Sequence, residues 1–342
     1  MRALQLVSDR DVSAVELDHP ADPAPGEVQL KVKVVALNHL DVWGWRGMAF
    51  AKREMPLTIG AEASAEVVAV GTGVSDLVPG QLVSIFGARV CGTCHHCRSG
   101  KDNLCEHVQG VHGFHLGGFA REFVNIPARQ CVPAPPGCDD VGAALAPITF
   151  GTCEHMLFDN ALLQPSETIL IQAGGSGIGT AAIQLAKAIG CTVITTVGSD
   201  DKIESAKELG ADHVINYRED RFEGAVRKLT KKAGVDVVFE HVGKETWAGS
   251  MLSLKRGGRL VTCGSTSGVS AETNLMMLFQ RQLRLIGSFG CRKQNMVDSM
   301  DKMARGIVKP VVDTEIEFGD MATALERMES RKVFGKIIMR MD

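Results

Sequence analysis

The feature that most restricts the fold is a glycine-rich turn set between an apolar run and a helical one. Residues 168–172 read TILIQ, a short apolar stretch of the kind a buried parallel strand uses. Ala-Gly-Gly-Ser-Gly-Ile-Gly follows at 173–179, and residues 178–188 continue at helical spacing. Gly174 permits a tight turn. Gly175, Ser176 and Gly177 are small enough for the backbone to approach a pyrophosphate, Ile178 begins the helical run, and Gly179 lets the helix pack on the strand. Phosphates would face the helix N-terminus, where free N–H groups and the dipole favour anions. A purely structural turn is the alternative. The strand before, the helix after and a second strand at 191–197 favour a nucleotide.

The alternation continues with a helix at 201–209 and strands at 213–216, 236–240, 259–263 and 283–286. Such spacing predicts a parallel, doubly wound sheet. The first 140 residues have another texture. Val28, Leu30, Val32 and Val34 alternate with Gln29, Lys31 and Lys33, the period of a half-buried strand. A second β-rich run covers 63–70. Gly71-Thr72-Gly73, Pro79-Gly80, Gly117-Gly118 and Pro135-Pro136-Gly137 punctuate the remainder as an antiparallel small barrel would require. Residues 141–157 read as a helix at the change of texture. The tail carries a helix at 320–330 and a strand at 336–341. The chain is therefore expected to be α/β, with two domains in 342 residues.

Composition narrows the function classes. A net charge of −3 offers no basic surface for nucleic acid. No apolar run approaches the roughly 18 residues of a membrane span. The opening MRALQLVSDRD has no apolar core of a secretory leader. Ten cysteines are not disulfide density, and together with a thiolate metal site they predict a reducing cytoplasm.

Cys91, Cys94, Cys97 and Cys105 are spaced C-x2-C-x2-C-x7-C. Four thiolates close a tetrahedral zinc shell with no open position, so a structural zinc lobe is expected over residues 91–105. An iron–sulfur cluster is the alternative, but neither ferredoxin spacing is matched. With the shell complete, His95 and His96 should face solvent.

The second strand ends near Val197, where a site for NAD places an acid. Gly198 and Ser199 stand there instead, leaving room for a 2′-phosphate that Lys202 can pair with. Asp200 and Asp201 argue the other way. NADP(H) is the cofactor expected.

The cysteine lobe followed by the dinucleotide motif resembles the medium-chain dehydrogenase/reductase superfamily over essentially the whole chain. The lobe is similar to that of zinc alcohol dehydrogenases. From Pro147 onward the stretches Pro147–Thr152, AGGSGIG, TTVGS, 214–218, 240–247 and 264–268 look more like the quinone oxidoreductase branch. The resemblance implies a GroES-like β-barrel catalytic domain (residues 1–140 and 289–342) and a Rossmann domain (residues 141–288), with a nicotinamide in the cleft. It implies that Gly198, Lys202, Tyr217 and Arg331 hold the 2′-phosphate. His241, Val242, Gly264, Ser265 and Thr266 lie in the remaining cofactor stretches.

Zinc alcohol dehydrogenases also hold a catalytic zinc. The positions similar to its ligands are Asn38, Ala61 and one near Ile148. An amide, a methyl and a branched alkyl group do not make a three-ligand site, so a catalytic zinc is expected to be absent. Asp41 and Glu62 alone are a poor substitute. His39, Cys153, Glu154 and His155 could restore a metal, but we read His39 as facing phosphate or substrate and Cys153 and His155 as packed on a helix. His112 and His115 read as a surface pair. The expected activity is NADPH-dependent hydride transfer to an enone, quinone or enoyl thioester, with Asn38 and Thr152 as donors to the enolate and Asn38, His39, Asp41 and Thr152 as the catalytic set. Tyr217, the sole tyrosine, falls at the adenosine end, so the proton comes from water, His39 or another group. The alternatives are a zinc alcohol dehydrogenase with atypical ligands and a non-catalytic NADPH- or RNA-binding protein. Trp43, Trp45, Met48 and Phe50 either line a small-molecule pocket or pack the barrel loop. The 283–286 strand resembles the family's dimer edge, which makes a homodimer the default and a tetramer the alternative.

Overall fold

A computed structural model describes residues 1–47 and 53–341. Contacts divide the chain into two units, Met1–Gly151 with Cys291–Asp342, and Thr152–Gly290.

The first unit begins with β1 (Arg2–Ser8) and β2 (Asp11–Glu16), an antiparallel pair. β3 (Glu27–Ala36) is its longest strand, and β1 also takes β4 (Leu57–Thr58) along its other edge. β5 (Glu62–Val70), β6 (Leu82–Ile85), β7 (Phe123–Pro127) and β8 (Cys131–Pro133) follow. β5 and β7 flank β3 antiparallel, and β6 joins β5 to β8. Alternation in β3 has the expected outcome except at Gln29. Val28, Leu30, Val32 and Val34 are fully buried and Lys31 and Lys33 only half-buried, but Gln29 is buried too, its amide donating to Ala21 O at 3.1 Å and Asn125 Oδ1 at 3.3 Å. Each such apolar side chain contributes about 1.5–3 kcal/mol of burial.

The second unit is a six-stranded parallel sheet of β9 (Thr168–Ile171), β10 (Thr192–Val197), β11 (His213–Asn216), β12 (Val235–Glu240), β13 (Leu254–Thr262) and β14 (Arg284–Gly287). The strand order β11-β10-β9-β12-β13-β14 reverses between β9 and β12. Ile169 sits opposite Val193 on one side and Val237 on the other, and all three are fully buried. Continuous apolar runs such as TILI are what a sheet covered on both faces demands. The strand reversal makes the carboxyl edge beside β9 and β12 a natural ligand crevice.

The chain then returns to the first unit. β15 (Val312–Ile316) and β16 (Lys336–Arg340) pair parallel, and β16 runs antiparallel to β3 with Met339 opposite Val35. The intervening helix, Met321–Glu329, lies within the expected segment. The chain is thus α/β, with a first unit made of residues 1–151 and 291–342. Among the described residues no helix is long and apolar enough to cross a membrane.

Two segments differ from the sequence reading. The helix expected at 141–157 is a longer composite: an α-helix Asp140–Leu145, a π-helical turn Ala146–Phe150, an α-turn Gly151–Glu154 and a second π-helical turn His155–Asn160. Pro147 supplies no N–H, so the ladder widens at that point. The unit boundary falls at Gly151, inside this helical run, whereas the change of texture lies at residue 140. In addition, residues Lys293–Ala304 form a helix whose buried face is Asn295, Met296, Ser299 and Met300.

Candidate functional site

Four places carry chemistry: the cysteine lobe, the carboxyl edge of the parallel sheet, a polar cluster around Glu62, and a buried histidine.

In the lobe the four sulfurs of Cys91, Cys94, Cys97 and Cys105 lie within 4.8 Å of one another. Cys91 Sγ is 3.6 Å from Cys105 Sγ and 4.0 Å from Cys97 Sγ. A tetrahedron of Zn–S bonds near 2.3 Å has edges of about 3.8 Å, so the spacing fits zinc. The backbone favours thiolate there. Thr93 N–H and Cys94 N–H donate to Cys91 Sγ at 3.4 and 3.3 Å and hold its thiol down to about 5. Buried Asp102 binds Lys293 Nζ at 3.2 Å, which ties the lobe to the 293–304 helix. His95 is exposed. His96 corrects the expectation for the pair: it is half-buried, with Nε2 3.8 Å from Glu106 Oε1. Among the described residues this is the one cluster of three or more potential metal ligands.

At the carboxyl edge, the residues of the second unit expected to bind a cofactor follow strand ends. Gly174 to Gly179 come after β9, Gly198, Ser199 and Lys202 after β10, Tyr217 after β11, His241 and Val242 after β12, and Gly264, Ser265 and Thr266 after β13. A Cβ on Gly174 would run into the Thr195 hydroxyl, and one on Gly179 into the Ala173 carbonyl. Ser176, where the usual motif has a glycine, has an extended backbone (φ −76°) and caps the Gly177–Ala188 helix, its hydroxyl accepting Gly179 N–H at 2.9 Å. At the end of β10, a Cβ on Gly198 would stand 2.6 Å from Tyr217 Oη. No acidic side chain fits there with Tyr217 in place. Asn216 Nδ2 donates to Asp200 Oδ1 at 2.9 Å, giving that carboxylate a partner of its own. Arg331 belongs to the other unit, exposed just past the Met321–Glu329 helix with φ +59°.

The third place gathers the positions compared with a catalytic zinc site. Glu62, fully buried at the start of β5, accepts five hydrogen bonds. Ile148 N–H and Thr149 N–H, from the π-helical turn, donate to Oε1 at 2.8 and 2.6 Å. Thr149 Oγ1, Asn38 Nδ2 and Lys336 Nζ donate to Oε2 at 2.9, 3.0 and 2.9 Å. Asn38 Nδ2 also donates to Ala36 O at 3.2 Å, and Asn38 Oδ1 accepts from Lys336 Nζ at 2.7 Å. Asn38 therefore has both amide protons committed. Asp41, buried three residues on, accepts Asn38 N–H on Oδ2 at 2.7 Å, while its Oδ1 is buried with no partner. Burial pushes the Asp41 carboxyl up to about 6. His39 is half-exposed, its ring edge-on to Trp43 at 5.9 Å. Thr152 is buried in the other unit.

His112 corrects the surface reading of the 112/115 pair. Its ring is buried, and Nδ1–H donates to Gly117 O at 2.7 Å, whereas His115 is exposed. Burial, aided by the charges of Arg121 and Arg89, pulls the His112 ring down to about 4. The two rings do not share a face and make no metal site. Trp45 packs in the barrel core with the Arg10 guanidinium 4.5 Å from its ring centroid, and Trp43 is half-buried. Met48 and Phe50 lie outside the described residues. Cys153 Sγ donates to Ile178 O at 3.1 Å, and His155 Nδ1 pairs with Asp159 Oδ2 at 2.8 Å.

Comparison with known proteins settles the family. Residues 24–136 match the alcohol dehydrogenase GroES-like domain, and residues 177–305 match the zinc-binding dehydrogenase family. The chain is 31% identical to an alcohol dehydrogenase of Geobacillus stearothermophilus over 320 residues, 92% of each chain. It belongs to the zinc-binding medium-chain dehydrogenase/reductase superfamily. An acryloyl-coenzyme A reductase of Metallosphaera sedula is 29% identical over 318 residues, 93% of each chain. A crystal structure of an NAD-dependent alcohol dehydrogenase superposes with a TM-score of 0.94 at 36% identity, covering 100% of each chain. This medium-chain dehydrogenase/reductase is thus a member of an oxidoreductase family whose relatives include both reductases of activated double bonds and alcohol dehydrogenases.

The sequence reading missed two sets of residues. Lys336 is one. The other is a buried relay in the second unit: Ala173 N–H donates to Thr196 Oγ1, which donates to Gln172 Oε1, while Gln172 Nε2 donates to Ser250 Oγ, which donates to Glu240 Oε2, at 2.9, 2.8, 3.0 and 2.6 Å. Glu240 also collects Val242 N–H, Gly243 N–H and Thr246 Oγ1 at 2.7, 3.1 and 2.9 Å. One network therefore holds both the glycine turn and the loop after β12. Glu240 stood in a stretch that resembles the family, but nothing marked it as buried. Lys336 carried no signal at all.

Proposed function

We propose that this protein is an NADPH-dependent reductase that delivers hydride to an activated double bond or a quinone without a catalytic zinc. The observation that carries the reading is the Glu62 cluster, where an amide, a methyl group and an aliphatic side chain take the ligand positions and an ammonium completes the set. The name of the acryloyl-coenzyme A reductase relative supports a conjugated substrate of this kind.

Gly174 to Gly179 would hold the pyrophosphate against the helix N-terminus, and Gly198, Ser199, Lys202 and Tyr217 the 2′-phosphate. His241, Val242, Gly264, Ser265 and Thr266 carry the rest of the dinucleotide. The reduced nicotinamide supplies the hydride. Charge then develops on the substrate oxygen, which needs preorganised donors. Asn38 has no amide proton to give, which leaves His39 and Thr152 as the donors of the expected set. The proton for the α-carbon comes from His39 or water.

NADPH absorbance against a panel of enones, quinones and enoyl thioesters tests the reading, with metal counted on the same sample. Turnover at one zinc per chain is the expected result. Lys202→Ala should raise the Kd for NADPH about 10- to 100-fold, the worth of a charge-assisted hydrogen bond, and leave NADH binding unchanged. NAD-linked alcohol oxidation at two zincs per chain would establish the second reading, which the alcohol dehydrogenase relatives favour. No turnover across the panel despite tight NADPH binding would favour a non-catalytic role.

A homodimer forms along β14. Next to that edge strand Leu275, Met276, Phe279 and Phe289 are 60–68% exposed, an apolar patch a soluble monomer rarely leaves open. Sedimentation at assay concentration should give the dimer mass. A monomer would count against this interface, and a tetramer would show that a second one exists. The free cysteines and the thiolate lobe suit a reducing compartment such as the cytoplasm.

A further inference from the structure

We infer that the barrel unit carries a binding site of its own, made by Arg89, Arg121, His112 and Gln130, for a phosphate group that keeps one proton. Two loops bring these residues together. Arg89 N–H donates to Gly110 O and His112 N–H to Gly87 O, both at 2.9 Å, so residues 87–89 lie along residues 110–112. Arg121 comes just before β7 and Gln130 just after it. The Arg121 guanidinium passes over Gly117, whose carbonyl accepts from the His112 ring; a Cβ on Gly117 would stand 3.7 Å from Arg121 Nη2. The charges of both arginines reach the His112 ring, and so does the Gln130 side chain.

The hydrogen-bond inventory selects the ligand. Among the described residues neither arginine side chain has an ion pair or a hydrogen bond, and both Nε–H donors are buried. Burial alone pulls the Arg121 guanidinium down to about 10. A buried cation without a counter-charge is costly, and an anion removes that cost. The acceptors narrow the choice. His112 is 4% exposed, and its Nδ1–H is spent on Gly117 O, so Nε2 of the neutral ring is an acceptor, and it has no partner. Gln130 is fully buried. Its Nε2 donates to Phe86 O and Ala88 O at 3.0 and 3.3 Å, which leaves Oε1 as a second acceptor without a partner. A carboxylate or a sulfate satisfies only the donors. A water leaves the positive charge uncompensated. A protonated phosphate meets both needs: its bare oxygens accept from Arg89 and Arg121, and its O–H donates to His112 Nε2 or Gln130 Oε1. Both arginine side chains are partly exposed, which gives a small anion a way in. The loops of the site rest on the backbone just before Glu62. A Cβ on Gly113 would stand 2.6 Å from the Gly60 carbonyl carbon, and one on Gly87 2.9 Å from Ala61 O. An anion bound here therefore braces the strand entry that carries Glu62.

The test is calorimetric titration of the full-length, zinc-replete protein with inorganic phosphate, sulfate and phenyl phosphate, in excess NADP+ to keep these anions off the glycine turn. The forms compared are wild type, Arg121→Met and Arg89→Met. Wild type should bind one phosphate per chain, and sulfate, which has no O–H to give, at least about 10-fold more weakly. Each variant should lose at least about 10-fold in phosphate affinity. In phosphate-free buffer Arg121→Met should melt at or above the wild-type temperature, because it removes a buried charge that has no partner. Phenyl phosphate binding as tightly as inorganic phosphate assigns the site to the phosphoryl end of an organic monoester, and weaker binding assigns it to free phosphate; both keep the site. Absence of saturable phosphate binding in the wild type, sulfate bound as tightly as phosphate, or phosphate affinity unchanged in the variants overturns the inference. Should Arg121→Met not fold, Arg89→Met decides by the same criterion. No arm reads hydride transfer, so this proposal and the preceding one fail separately.

Discussion

If Cys91, Cys94, Cys97 and Cys105 hold a structural zinc as proposed, chelating it will lower the thermal midpoint by about 10 °C or more, the equivalent of several kcal/mol in a domain of this size. The lobe has little regular structure of its own. Its regular structure is one helical turn, His95–Arg98, and a 3-10 turn, Asp102–Leu104. Cys97 and Cys105 pack against a cluster containing Phe86, Val90, Met296 and Met300, so a loosened lobe uncovers part of the barrel's core. Cys94→Ser should reproduce the effect without chelator, because a hydroxyl is a far weaker zinc ligand than a thiolate. Zinc content and differential scanning calorimetry check this on one preparation. Metal removed with no change in midpoint would contradict a structural role.

Glu240→Leu will destabilise the protein by about 3–5 kcal/mol, because it strands several donors in the interior. Val242 N–H, Gly243 N–H, Thr246 Oγ1 and Ser250 Oγ all point at that carboxylate, which is fully buried. Since Ser250 continues through Gln172 and Thr196 to Ala173, the loss also frees the glycine turn. NADPH affinity should fall about 10-fold or more as both loops lose their common support. Glu240→Gln keeps one acceptor oxygen and should show the smaller effect in urea unfolding and in NADPH titration. Equal behaviour of the leucine and glutamine variants would show that the network does not set loop position.

Where local pattern governs, the sequence is readable. Alternation located β3, the glycine turn located the Gly177–Ala188 helix, and cysteine spacing located a lobe whose sulfurs converge. Where contacts are remote, it is silent. Lys336 opens a strand reading KIIMR, in which a lysine looks like a solvent-facing end. Its partners Glu62 and Asn38 lie 274 and 298 residues away. The Lys293–Ala304 helix was missed because its buried face mixes Asn295 and Ser299 with Met296 and Met300, which blurs the apolar period. His112 was misjudged for a related reason. Glycines around it suggested a surface loop, yet Gly113 and Gly118 are there to let that loop lie against the backbone of Ile59 and Gly60.

One consequence concerns synthesis on the ribosome. The parallel-sheet unit is a single continuous stretch, Thr152–Gly290, and can assemble as soon as it has emerged. The barrel cannot, because Val34–Ala36 of β3 pair with β16, which is made only after the whole parallel-sheet unit. Until β16 is made, the nascent chain therefore carries an unfinished barrel with part of β3 unpaired and an acid at position 62 that lacks its Lys336 partner. Premature termination anywhere before residue 336 leaves that half without its closing strand, the kind of exposed border that invites aggregation or chaperone capture.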